Sequence, residues 1–147
     1  MKKIILLLVC FFITACADPV QEKLNFHKKL LAESKTEMME IDKQYNGKII
    51  DTLQKANYEL LATNEYPTEE EIKYISIGMQ HIKNTILKAR TNILNYPLEA
   101  SFSKAYKRLS LLRDRKITFA QAAIMAKGDQ QANMNASNRA YNPAKFS

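Results

Sequence analysis

The sequence predicts an all-α fold: an antiparallel helical bundle or elongated coiled-coil hairpin with a loose C-terminal tail. Three observations lead there. Only three glycines and four prolines punctuate 147 residues rich in Lys, Glu, Leu, Ala, Gln and Met, side chains that lose little rotamer freedom in a helix. Ile72, Ile75, Met79, Ile82, Ile86, Ala89, Ile93 and Tyr96 recur at alternating steps of three and four, the seam of a helix lying along a nearly parallel or antiparallel neighbour. Similar stripes flank that seam on both sides.

The first segment is not part of the bundle. Lys2 and Lys3 precede a charge-free run from Ile4 to Ala15, the basic start and apolar core of an export signal. As a helix this run reaches only about 18 Å, against a hydrocarbon core of about 30 Å, so it is too short to span stably. An ordinary secretory signal cut after Ala15 or Ala17 is one reading of it.

Ile13, Thr14 and Ala15 before Cys16 resemble the lipobox of bacterial lipoproteins, an apolar residue and two small residues ahead of an invariant cysteine. The resemblance implies removal of residues 1–15, diacylglyceryl transfer to the Cys16 sulfur and acylation of the new N-terminus. It also implies an address: an Asp directly after the lipidated cysteine retains enterobacterial lipoproteins in the inner membrane, and here Ala17 holds that place. An outer-membrane, periplasm-facing location is expected. Cys10 leaves with the signal, so no intramolecular disulfide, Cys-rich zinc site or cysteine nucleophile is expected.

The mature chain reads as one helical domain, residues 16–127, followed by a flexible polar tail, residues 128–147. Asp18 caps a first helix with Pro19 at its first position, and Val20, Leu24, His27, Leu31, Ser34, Met38, Ile41 and Tyr45 mark its stripe. Asn46-Gly47 interrupts propensity while Ile49, Leu53, Ala56 and Leu60 continue the stripe, so one bent helix to about Ala62 is preferred over two helices meeting at Gly47. Asn64 to Pro67 is a tight connection.

Thr68 with Glu71 forms a capping box for the seam helix, and Pro97 is its stop. Leu98, Phe102, Ala105, Leu109 and Leu112 outline a third helix ending near Arg115. Thr118 with Gln121 opens a short fourth through Met125, before Gly128 and an Asn-rich stretch that buries too little to offset its ordering entropy.

Charge is uneven. Residues 16–71 carry 12 acids and 7 bases, residues 72–147 only 3 acids and 13 bases. Lys104, Lys107, Arg108 and Arg115 fall near one helical face, a candidate surface for a protein partner or anionic lipid. Mutual screening of the acidic front by the basic back is the plain alternative. Nucleic acid is not expected of an exported chain without a recognition motif.

Catalytic signals are thin. His27 and His81 have no metal-ligand spacing, Glu69 to Glu71 suit a helix start, and no phosphate loop or nucleophile elbow is present, so neither metal, cofactor nor enzymatic activity is expected. The sequence reads best as a membrane-anchored lipoprotein acting as a helical interaction module with an envelope protein partner, homo-oligomerisation being compatible with its seam. A passive structural lipoprotein bridging membrane and anionic envelope surfaces is the alternative. Tyr58, Tyr66, Tyr74 and Tyr106 are candidate partner contacts.

Overall fold

A computed structural model of the chain describes residues 19–90 and 96–141. The described residues form five helices and no strand: α1 (Pro19–Lys43), α2 (Lys48–Asn57), α3 (Glu69–Arg90), α4 (Tyr96–Arg113) and α5 (Phe119–Tyr141). The predicted lipobox, Cys16 included, lies outside the described residues, as does the predicted cap Asp18. No helix among the described residues is long and apolar enough to cross a membrane.

The helices run against one another. Leu30 of α1 packs with Ala89 of α3 while Tyr45, just past the other end of α1, sets its ring edge-on against Tyr74. Leu98 near the start of α4 joins Ala89, whereas Leu109 and Leu112 near its end join Ile75 and Met79, so α4 is antiparallel to α3. Phe119 and Ala122 at the start of α5 enter the same main core, and Asn133 farther along reaches back to Ser101 near the α4 start at 3.0 Å. α2 is wedged between α3 and α5. A Cβ on Gly78 would lie 2.9 Å from Leu53 Cδ1, a measure of how closely α2 approaches α3.

The preferred single bent helix is instead two. Asn46 and Gly47 both have left-handed backbones, φ 56° and 80°, which glycine adopts freely and asparagine more readily than most residues. Asp42 stabilises the break. Its buried carboxylate accepts from the backbone N–H groups of Ile49 (2.9 Å) and Ile50 (3.1 Å), donors that the first turn of α2 leaves without helical partners. α2 ends at Asn57, not near Ala62, and Leu60, expected on the stripe, is fully exposed at 100 %. The predicted stripe of α1 holds at Ser34, which is buried, and at half-buried Leu24, His27, Met38 and Ile41, but at one position it shifts: Leu30 is buried and Leu31 is exposed.

The connection from Tyr58 to Thr68 is longer than the tight turn expected, and its carbonyls are used. Phe119 N–H donates to Glu65 O and Ala120 N–H to Thr63 O, at 3.0 and 2.9 Å, so this loop caps α5. Arg115, itself at φ 55°, donates to Pro67 O and to Glu69.

Both capping boxes form. Glu71 N–H donates to Thr68 Oγ1 at 3.2 Å while Thr68 N–H donates to Glu71 Oε1 at 3.0 Å, and Thr118 and Gln121 repeat the exchange at 3.3 and 2.8 Å. The seam is real over the α3 length: Ile75, Met79, Ile86 and Ala89 are buried. Ile93 lies outside the described residues. Pro97 opens α4 rather than ending α3, a first-turn position where its missing N–H costs nothing.

The expected tail from Gly128 onward is corrected in its first part, because α5 runs through Gly128 to Tyr141. The reason is lateral support that composition does not register. Asn133 donates to Ser101 of α4 and Asp129 stands 3.8 Å from Arg108 of the same helix, while within α5 Gln131 pairs with Asn135 one turn on and Gly128 sits on an open face. Residues 142–147 lie outside the described residues.

Candidate binding groove

A groove of about 510 Å³ opens between α1, α4, α5 and the end of α2. Its floor follows from helical spacing. Leu98, Ser101, Ala105 and Arg108 are separated by three, four and three residues and share one face of α4, and Asp129 and Asn133 occupy the facing side of α5. Leu31, Tyr58 and Met134, exposed by 40, 58 and 53 %, form apolar parts of the rim.

Arg108 is the unusual member. Its side chain is only 8 % exposed, although an arginine is almost never fully buried unless paired. Nη1 donates to Ala56 O at 2.9 Å, satisfying one of the last carbonyls of α2. Nε is buried with no hydrogen-bond partner, and the nearest acid, Asp129 Oδ2, stands 3.8 Å from it, beyond hydrogen-bond reach. Burial pulls the Arg108 pKa below its usual value, with Asp129 opposing. His27, on the α1 side of the groove, has its pKa lowered by burial as well.

The predicted basic face is not assembled. Lys107 is exposed and Lys104 half-buried, but Arg108 turns into the groove, and Arg115 lies past the end of α4, engaged with Pro67 O and Glu69. The spacing pointed to a face because it was projected past Arg113, where the helix stops. Leu98, Ser101, Ala105, Arg108 and Leu112 also keep steps of three and four, sharing Leu98, Ala105 and Leu112 with the predicted stripe, so Arg108 borders that stripe on its inward side.

Of the four tyrosines named as candidate contacts, Tyr58 and Tyr66 are exposed, Tyr58 at the groove. Tyr106 packs against the main core, and Tyr74 is buried with its hydroxyl donating to Glu70 Oε1 at 2.7 Å. Glu70 thereby has its pKa lowered, and that of Tyr74 is raised.

His81 is buried between α1 and α3. Its Nε2 lies 2.9 Å from Ser34 O and 3.0 Å from Ser34 Oγ, and Ser34 Oγ is 3.1 Å from Thr85 Oγ1. A carbonyl can only accept, so Nε2 carries the proton and cannot take one from the serine. The cluster is a polar clasp between helices, not an activated nucleophile. Among the described residues no group of three or more His, Cys, Asp or Glu side chains could hold a metal ion.

The acidic front and basic back do meet across the bundle. Glu37 pairs with Lys88 at 2.6 Å, Glu69 with Arg115 at 2.8 Å and Glu59 with Lys127 at 3.8 Å. No family model matches the chain, and comparison with curated proteins and with solved structures finds no match to either.

Proposed function

We propose that the chain is an exported bacterial lipoprotein, held at the cell envelope by acyl chains on Cys16, whose helical body is a non-catalytic protein-interaction module. An adaptor, pilot, exclusion or assembly factor would have this construction. The observation that supports it best is the groove beside the Tyr58 to Thr68 connection, where Tyr58, Leu60, Leu61 and Tyr66 stand 51 to 100 % exposed. Exposed apolar side chains gathered beside a concave site are what a partner covers.

The tether suits that role. α1 starts three residues after Cys16, so an anchored body stands close to the bilayer, and each buried acyl CH₂ contributes about 0.8 kcal/mol to holding it there. An outer-membrane, periplasm-facing address follows from Ala17. Bridging to anionic surfaces through a basic helix is less favoured, since Arg108 and Arg115 are already engaged within the fold.

Intact-mass analysis of protein from native membranes tests the anchor. A species lacking residues 1–15 and carrying diacylglyceryl and acyl groups is expected. An unmodified full-length chain in the cytosolic fraction would overturn the reading.

A further inference from the structure

Among the described residues, Arg108 carries the buried side-chain nitrogen that has no hydrogen-bond partner. A guanidinium presents five N–H groups in a planar fork suited to two parallel bonds with a carboxylate or phosphate. Here one bond goes to Ala56 O, Nε has none, and Asp129 is too far for a hydrogen bond. The side chain is more than nine-tenths buried and sits in the wall of an open groove. A buried donor left without an acceptor costs stability, so an external acceptor relieves a standing penalty.

The rest of the groove narrows the identity of that acceptor. Asn57, Gln130 and Asn133 line it with amides that both donate and accept, as a peptide backbone requires. Leu98 is buried at one side, and Leu31 and Met134 supply apolar contact beyond it. Among the described residues no lysine or second arginine lines the groove, and burial disfavours a charged ring on His27, so a doubly charged phosphate meets one guanidinium, and Asp129 beside Arg108 disfavours a dianion more than a single carboxylate.

We propose that the groove receives an acidic peptide segment of a partner protein, with a carboxylate seated on the Arg108 fork and a neighbouring apolar side chain against Leu31, Leu98 and Met134. This rests on reading the chain as an interaction module and adds the chemistry of what it takes. Asp129 then acts as an internal competitor that holds the fork loosely until the ligand carboxylate arrives. Specificity comes from the fork, affinity from the apolar contact.

The test is a titration of the full-length ¹⁵N-labelled protein in detergent micelles with three probes: N-acetyl-leucyl-leucine as free acid, the same dipeptide as its C-terminal amide, and hexyl phosphate. The free acid is expected to shift the Arg108 Nε and Asn133 side-chain resonances, with the amide binding about tenfold more weakly. Asp129→Asn removes the competitor and is expected to tighten acid binding several-fold. Arg108→Lys keeps the charge without the fork and is expected to lose most of the preference for acid over amide.

Equal binding of acid and amide would overturn the proposal, as would preference for hexyl phosphate or absence of shifts in both the wild-type and Asp129→Asn proteins. Should Arg108→Lys fail to fold, the acid and amide comparison in the other two proteins still decides. A partner cross-linked through Met134 in the envelope, together with equal acid and amide binding, would refute the acidic preference while leaving the interaction role standing. Absence of such a cross-link would strike the role itself.

Discussion

Asp42 and Arg108 perform matching tasks at opposite ends of α2. The carboxylate caps its N-terminal N–H groups and the guanidinium its C-terminal carbonyl, each complementing the helix dipole. Asp42→Ala is expected to cost about 1 to 2 kcal/mol, read from urea unfolding, because a buried donor and a partly buried one lose their acceptor. Gly47→Ala, which places a Cβ on a left-handed residue, is expected to cost about 1 kcal/mol in the same assay. Arg108→Met should behave differently. Ala56 O loses a donor, but a largely desolvated cation is removed and Asp129, about a third exposed, keeps water, so stability is expected within about 1 kcal/mol of wild type while acid binding disappears.

At the scale of elements, α5 offers the sharpest test of the fold. Gly128 lies inside a helix with open space where a Cβ would go. Gly128→Ala is therefore expected to stabilise by about 0.5 to 1 kcal/mol and to raise helical circular dichroism. No stabilisation would return residues 128–141 to the loose tail that their composition suggested.

Thr118→Ala, removing the cap, is expected to cost about 1 kcal/mol. The helices with strong periodicity and written caps were legible in the sequence: α3 opens at its Thr68 box, and the α4 core positions Leu98, Leu109 and Leu112 are buried as their spacing required. What escaped was nonlocal. Gly47 breaks a helix because Asp42 can cap the next one, the Asn-rich segment is helical because α4 offers Ser101 to Asn133, and Arg108 turns inward because Ala56 O awaits a donor. The groove needs four elements at once, and no single stretch announces it.

For the whole molecule, the titrating groups predict how stability follows pH. Burial holds the His27 pKa below the usual 6.5, so its folded form favours the neutral ring. That contribution is complete above 6.5 and is lost as pH falls from there through the folded value. Glu71 is also depressed: burial pushes its pKa upward, but hydrogen bonds from Lys55 and the Thr68 backbone outweigh it, and the hydrogen bond from Lys88 lowers Glu37. These contributions are present above the usual 4.5 and disappear as pH falls through the lowered values. Urea midpoints are therefore expected to decline in two stages on acidification, and His27→Gln should abolish the first.

The cross-bundle ion pairs are mostly solvent-exposed and contribute little singly, so the apolar seam carries the assembly. What the molecule presents outward is then the groove and the apolar connection beside it. Photocross-linking in the native envelope tests that arrangement most directly, with a photoreactive residue at Tyr58 or Met134 in the groove and, for comparison, at Ser76 or Gln80 on the exposed face of α3. A discrete protein adduct from the groove positions alone, on a chain recovered in the membrane fraction, is the predicted result. Equal adducts from both faces, or none from the groove, would contradict it.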